Sequence, residues 1–143
     1  LNGDSVYSCA VLLGATRRLA DMAQAVATVL SAAAVYRAYR MPLASDLRLV
    51  VLLAATILGA PHTIGYDSVM LAFAATLLLS RGLEEGAWPG ETAVAMLAYL
   101  SPLANPPSLF RLGLATPFLI GLLIAYTMMR TRPARALRPG AIA

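Results

Sequence analysis

The segment Pro61–Asp67 is a polar interruption between two long apolar runs, and it carries the side chains best suited to chemistry. It contains His62, which is the only histidine of the chain, together with Tyr66 and Asp67. An imidazole can move a proton, donate a hydrogen bond to a phosphate or bind a metal ion. One histidine beside one aspartate makes a poor metal site, so we expect no metal and no cofactor. We predict instead that His62, Tyr66 and Asp67 bind substrate.

Each of these three residues also has a purely structural interpretation. His62 can bond a carbonyl group at a helix end, and Tyr66 can belong to an aromatic belt at a membrane interface. Asp67 can cap the helix that follows it, although Met70 does not complete a capping box. A carboxylate at membrane depth nevertheless favours a functional role.

The composition places the chain in a bilayer. It has 143 residues, of which 59% are hydrophobic and 13% charged, with a mean hydropathy of +0.73. A membrane helix needs roughly 20 apolar residues, so the length predicts an all-α, polytopic transmembrane bundle of about five helices. The single cysteine, Cys9, cannot form an internal disulfide.

Three regions are predicted along the chain. Residues 1–18 form an outer-side loop with a short interfacial helix over Val6–Leu13, and residues 19–129 form the transmembrane bundle. Residues 130–143 form a basic cytoplasmic tail, which we expect to be disordered because it combines arginine with proline and alanine.

Apolar periodicity and capping residues predict the five helices of the bundle. Thr16 is a plausible N-cap of the first helix, Ser45 or Asp46 of the second, and Arg81–Pro89 is expected to be a loop. The predicted helices span residues 16–36, 47–59 and 67–80, then a segment from Glu91 to a break at Pro102, and residues 109–129.

The second and third of these helices are short. Each is about 20 Å long, whereas the hydrocarbon core is about 30 Å thick. If both start at the same membrane face, Pro61–Asp67 lies below the opposite surface. Irregular backbone at that depth is tolerated only where protein or a water-filled cavity surrounds it.

A polar face on the first helix is expected to turn away from lipid. Asp21, Gln24, Thr28 and Ser31 follow one another at spacings of three, four and three, which places them on one helical face. That face should therefore line a cavity or contact other helices. First-turn positions near the head groups also explain Asp21 and Gln24.

The arginines predict the orientation. On the helices above, eight fall on one side (Arg37, Arg40, Arg48, Arg81, Arg130, Arg132, Arg135 and Arg138) and three on the other (Arg17, Arg18 and Arg111). By the positive-inside rule the larger group and the C-terminus are cytoplasmic, and Pro61–Asp67 is periplasmic. Arginines at the ends of apolar runs explain the net charge of +4, so we expect no nucleic-acid partner. All eleven basic residues are arginine and alanine is abundant, which indicates a GC-rich bacterial genome. With the hydropathy, this leads us to expect a multi-pass protein of the bacterial inner membrane.

The motif Ala60-Pro61-His62-Thr63-Ile64-Gly65-Tyr66-Asp67 resembles a signature in the C-terminal half of glycosyltransferase family 87. The similarity extends over Ser5–Leu79, including Leu13-Gly14 and Leu19-Ala20 in the lead into the first helix and the pair Arg37 and Arg40 that closes it. Members of that family are integral membrane, GT-C-type mannosyltransferases that depend on polyprenyl phosphate, and their relatives. The rest of the chain is similar in hydropathy alone.

The resemblance implies transfer of a hexose, mannose by preference, from a polyprenyl-phosphate donor to an acceptor hydroxyl of a lipid or glycan at the outer face, with inversion. It places the general base in an N-terminal half that this chain lacks. We therefore expect a GT-C-like fragment that needs the missing N-terminal helices and surrounding lipid, and that is inactive alone. His62 would then bond the donor phosphate or acceptor, Asp67 would hold His62 or a sugar hydroxyl, and Tyr66 would pack on sugar or lipid.

Two other classes remain open at this point. A transporter or flippase fragment would place a substrate site at the same helix break, and it predicts an inverted repeat, of which no clear trace is visible. A structural membrane subunit would use the turn only to cap helices, and it predicts that His62 and Asp67 are both replaceable.

Overall fold

All secondary-structure elements in the described part of the chain are helices. The computed structural model describes residues 5–61, 67–100 and 115–130, and within them it contains helices and no strand. The prediction of an all-α fold is therefore confirmed for these residues. The helices are α1 Val6–Leu12, α2 Arg17–Arg40, α3 Ser45–Gly59, α4 Asp67–Glu85, α5 Glu91–Leu100 and α6 Thr116–Met129.

Helix α3 is the central element of the bundle. It packs against α2, α4 and α6, while α5 lies on α4 and α6, and α1 lies on α2. Val50, Val51 and Ala54 of α3 are completely buried, as are Ala74 and Ala75 of α4. Small alanine side chains at these contacts allow the helix axes to approach closely.

Local capping residues determine where α1 and α2 begin. Ser5 Oγ accepts a hydrogen bond from Ser8 N and caps α1, and Gly14 follows α1 with a φ of 88° that favours glycine. Thr16 caps α2 by accepting from Leu19 N at 3.4 Å, as predicted. Helix α2 runs to Arg40, four residues beyond the predicted end.

The predicted cap of α3 was wrong. Ala44 occupies the N-cap position without a side-chain hydrogen bond, and Ser45 and Asp46 already lie inside the helix. The Asp46 carboxylate accepts hydrogen bonds from Arg81 of α4 instead. The Asp46 carboxylate therefore bonds Arg81 of α4 and does not cap its own helix.

Helix α4 continues to Glu85, so the predicted loop over Arg81–Pro89 was wrong for its first five residues. Arg81 bonds Glu85 four residues later at 2.7 Å, a spacing that stabilises a helix. Gly86, with a φ of 89°, follows the helix end.

By length and composition, α2 is the one helix in the described ranges that could cross a membrane. It has 24 residues, whereas α3 has 15, α5 has 10 and α6 has 14. Helix α4 has 19 residues but carries Arg81, Glu84 and Glu85 near its end. The described part of α6 begins at Thr116, and the predicted earlier residues 109–114 lie outside the described chain. A bundle of about five membrane helices therefore stays a prediction.

Candidate functional site at the break between two helices

The polar residues discussed below lie at the two ends of the bundle. We call the end where α3 finishes at Gly59 and α4 starts at Asp67 the break end. The opposite end, where α3 starts and α4 finishes, carries an ion-pair network and is called the ionic end.

Of the three predicted site residues, the structure describes only the backbone of Asp67, which lies at the break end. Asp67 is the first residue of α4, where a negative charge is favoured by the helix dipole, and this start is the predicted one. His62 and Tyr66 lie outside the described residues. Their substrate-binding roles, and that of the Asp67 side chain, stay predictions.

Two side chains of α2 hold the last carbonyl groups of α3. Gln24 Nε2 donates to Leu58 O at 3.3 Å and to Gly59 O at 3.1 Å. Thr28 Oγ1 is 2.8 Å from Gly59 O and also 2.9 Å from its own-helix carbonyl Gln24 O. Terminal carbonyl groups of a helix have no partner within the helix, so these bonds satisfy groups that would otherwise be costly to bury.

Gln24 also connects α1 to the break end through a hydrogen bond. Its Oε1 accepts from the backbone N–H of Tyr7 at 3.0 Å, in the first turn of α1. Ser5 and Ser8 are buried beside it and bond each other through their hydroxyl groups at 3.0 Å. One buried amide, 5% exposed, therefore joins α1, α2 and the end of α3 next to the helix break.

The polar face predicted on α2 is inward over part of its length. Gln24 and Ser31 are both buried, at 5% exposed each, whereas Asp21 is exposed. Thr28 is exposed but hydrogen-bonded to α3. The reason is geometric, because α3 ends beside Gln24 and Thr28 and leaves the α2 turn at Asp21 uncovered by it. Among the described groups Ser31 Oγ has no hydrogen-bond partner.

Helix lengths give the position of the break. Gln24 lies seven residues after the start of α2, so α2 extends about 10 Å past the end of α3. From the Asp46–Arg81 ion pair, Gly59 is 13 residues along α3 and Asp67 is 14 residues along α4. Both distances are about 20 Å, so the two helices reach the break at the same level.

The ionic end joins four helices through carboxylate and guanidinium groups. Arg81 of α4 bonds Asp46 of α3 through two nitrogens, with Nη2 donating to Oδ1 at 2.9 Å. Arg130, at the end of α6, donates to Glu91 of α5 at 2.7 and 3.0 Å and to Glu85 at 3.2 Å. Glu85 also bonds Arg81, so the five side chains form one connected network.

Among the residues of the ionic end, the surroundings of Arg130 differ most from the prediction. The sequence assigned it to the basic tail, yet its side chain is only 2% exposed and packs against Glu91, which is also 2% exposed. Glu91 accepts in addition from Trp88 N at 2.8 Å, and Tyr126 Oη donates to Pro89 O at 2.9 Å. These contacts fix the turn before α5. Residues 131–143 of the predicted tail lie outside the described chain.

Sequence reasoning missed the ionic network, although a signal for it was present. Its charged residues all stand at ends of apolar runs, and alternating helix directions bring those ends to the same side. The pairing itself depends on contacts between residues 35 to 45 positions apart, which no local pattern reveals.

Within the described residues, no group of three or more His, Cys, Asp or Glu side chains could hold a metal ion. At the break end, the amide of Gln24 and the hydroxyl group of Thr28 bond the carbonyl groups that end α3, and the segment that follows in the chain carries the only histidine. Comparison of the chain with protein-family models, with curated proteins and with solved structures gave no match.

Proposed function

We propose that this chain is the C-terminal membrane part of a GT-C-like glycosyltransferase, with the break end on the outer side of a bacterial inner membrane. It would help to move a hexose, mannose by preference, from a polyprenyl-phosphate donor to a lipid or glycan hydroxyl. Three features support this proposal: the exposed apolar side chains of the helices, the position of the break along α2, and the residue types of the segment Pro61–Asp67.

The distribution of side chains supports a bilayer as solvent. Helix α2 buries Ala20, Gln24, Ala27, Ser31 and Ala38, whereas many large apolar residues of α2 and of other helices are exposed. Soluble monomers rarely expose contiguous apolar patches above a few hundred Å², and small residues at helix contacts are typical of membrane bundles. The exposed set includes Leu19, Met22, Val26, Val29, Leu30, Val69, Phe73, Leu97 and Phe118.

The position of the break, about 10 Å along α2 from its start, is the observation that carries the functional proposal. If α2 spans the bilayer, the end of α3 and the start of α4 lie about 10 Å inside its outer end. Interrupted backbone at that depth marks a protein-lined or water-filled site. A lipid-linked donor would reach such a site with its prenyl chain still in the membrane.

In this site the segment Pro61–Asp67 would form one wall. Departure of a polyprenyl phosphate needs hydrogen-bond donors, and His62 is the candidate donor in this chain. Asp67 would orient His62 or hold a sugar hydroxyl, and Tyr66 would pack against sugar or lipid. The general base that activates the acceptor would come from the N-terminal helices of a longer protein.

The experiment is a transfer assay on membranes of bacteria that express the native gene. Radiolabelled polyprenyl-phosphate mannose is supplied, and label in the acceptor fraction is measured. We expect wild-type membranes to transfer label. His62→Ala should lower the rate by about a hundredfold, the usual effect of losing one transition-state donor. Asp67→Asn removes the carboxylate that would orient His62 or accept from a sugar hydroxyl, and it should lower the rate as well.

Asp21→Asn is the matched control, since Asp21 is an exposed carboxylate of α2 toward the same end; its rate should equal the wild-type rate. Wild-type membranes without transfer would contradict the proposal. Full activity in both variants would favour a structural role for the turn.

The alternative is a transporter or flippase fragment, in which the two short helices meet at a substrate site. In such proteins, unwound carbonyl groups at half-helix ends coordinate the transported ion. Here Leu58 O and Gly59 O already accept hydrogen bonds from Gln24 and Thr28. These carbonyl groups are thus less suited to ion coordination, which favours the transferase.

A further inference from the structure

A second feature, away from the break, is a groove between α2 and α3 with a volume of about 460 Å³. Ala32 and Val35 of α2 and Ala55 of α3 line it, and Gly59 closes it toward the break end. At its other end lies Tyr36. From Thr28 to Tyr36 the groove follows α2 for about 12 Å. We call it the α2–α3 groove.

The surface of the α2–α3 groove is largely apolar, although four of the residues that line it carry hydroxyl groups: Thr28, Ser31, Tyr36 and Thr56. Thr28 Oγ1 is bonded to carbonyl groups of Gln24 and Gly59, and Thr56 Oγ1 donates to Leu52 O at 2.8 Å. Ser31 lines the groove, but its Oγ is buried. Apart from the exposed Tyr36 side chain at one end, a ligand therefore meets mainly methyl and methylene groups, which suits a hydrocarbon chain.

Positive charge stands at the Tyr36 end of the groove. Arg40 Cζ lies 5.2 Å from the centre of the Tyr36 ring. Arg48 Cζ lies 5.9 Å from the Tyr39 ring centre, and its Nη2 donates to Met41 O at 3.3 Å.

No carboxylate among the described residues neutralises this charge. Among the ion pairs of the described residues, the carboxylates at this end of the bundle pair with Arg81 and Arg130 and none with Arg40 or Arg48. An apolar groove that ends at guanidinium groups without a carboxylate partner in the described part of the chain is complementary to a ligand with a hydrocarbon chain and an anionic head.

We propose that the α2–α3 groove binds one acyl chain of an anionic phospholipid of the cytoplasmic leaflet, whose phosphate contacts Arg40 and Arg48. This inference rests on the membrane placement within the proposed function and does not depend on sugar transfer. A basic cluster on the cytoplasmic side is a common setting for anionic head groups. A helix with small residues would also fit the groove, but it would leave the two arginines without a counter-charge.

The test uses the full chain in mild detergent and native mass spectrometry with added dioleoylphosphatidylglycerol or dioleoylphosphatidylcholine. We expect one phosphatidylglycerol molecule to be retained in preference to phosphatidylcholine. Arg40→Gln should weaken phosphatidylglycerol binding about fivefold, because a basic residue near a head group contributes roughly 1 kcal/mol. Arg17→Gln, which removes an exposed arginine from the other end of α2, should leave the affinity unchanged.

A second pair of variants tests the groove itself. Ala32→Phe fills it from an exposed position and should lower retention of phosphatidylglycerol at least fivefold, whereas Ala33→Phe, on an exposed neighbouring position, should not. Equal retention of both lipids, equal losses in Arg40→Gln and Arg17→Gln, or unchanged binding in Ala32→Phe would each overturn the site.

If the protein forms a dimer and Ala32→Phe prevents it, the groove binds a second copy of the chain, and the proposed lipid site is wrong. Protein that is monodisperse without detergent would overturn the membrane placement, and this site with it.

Discussion

Glu91 and Arg130 form an ion pair in which each side chain is only 2% exposed. Removing one member of a buried pair leaves the other charge without compensation, which typically costs about 3–5 kcal/mol. We therefore predict that Glu91→Gln lowers the free energy of unfolding by about 3 kcal/mol, since Arg130 keeps its bonds to Glu85 and Gly86 O. Denaturant unfolding in detergent, followed by circular dichroism, measures the change.

Two comparisons test whether this loss comes from the buried pair. Glu84→Gln removes an exposed carboxylate from the last turn of α4 and should change the free energy of unfolding by less than about 0.5 kcal/mol. The double change Glu91→Met with Arg130→Met should recover part of the loss, because no unpaired charge remains. Equal stability of Glu91→Gln and Glu84→Gln would refute a stabilising role for the pair.

At the scale of elements, Gln24 is the connection between α1, α2 and the end of α3. Gln24→Leu leaves Tyr7 N–H and the carbonyl groups of Leu58 and Gly59 without this partner, at about 1–3 kcal/mol for each group left unsatisfied in the interior. We predict at least tenfold faster hydrogen exchange of the Tyr7 amide and of the α1 amides near it. Exchange followed by mass spectrometry of peptides covering α1 gives the rates.

The control for this change is Thr56→Val, which removes a hydroxyl group that bonds only its own helix, at Leu52 O. Exchange in α1 should then keep its wild-type rate. If Gln24→Leu also leaves α1 exchange unaltered, the docking of α1 does not depend on Gln24.

Elements whose limits depend on local chemistry were predictable from the sequence. Thr16 capped α2 as expected, and Gly59 and Asp67 bounded α3 and α4 as predicted, since capping residues, proline and apolar runs act over a few positions. The end of α4 was missed, although the four-residue spacing of Arg81 and Glu85 and the following Gly86 are local signals for it. The bond between Arg81 and Asp46, 35 residues earlier, required the tertiary structure.

The candidate site, like the helix limits, was predictable only where it depends on local spacing. A polar face on α2 follows from spacing, but which members are buried depends on where α3 ends. Gln24 was predicted to face inward, whereas its bonds to Leu58 O and Gly59 O required the tertiary structure. The interpretations of His62, Tyr66 and Asp67 stay predictions.

At the scale of the whole molecule, the two ends differ in arginine content, and this difference predicts the orientation in a membrane. Of the arginines in the described residues, Arg17 and Arg18 stand at the start of α2, toward the break end. The ionic end carries the others: Arg37, Arg40, Arg48, Arg81 and Arg130. Basic residues are retained on the cytoplasmic side, so the ionic end should face the cytoplasm.

Cysteine labelling in intact cells measures this orientation. In a Cys9→Ala background, which removes the only cysteine, Arg18→Cys and Glu84→Cys place single thiols at exposed positions of the two ends. A membrane-impermeant maleimide should label Arg18→Cys in intact cells and Glu84→Cys only after permeabilisation. The reverse pattern would put the break end in the cytoplasm, where an outer-leaflet donor could not reach it, and would exclude the proposed transferase. Labelling of both thiols in intact cells would instead place the ionic end outside and contradict the assignment of its arginines to the cytoplasmic leaflet.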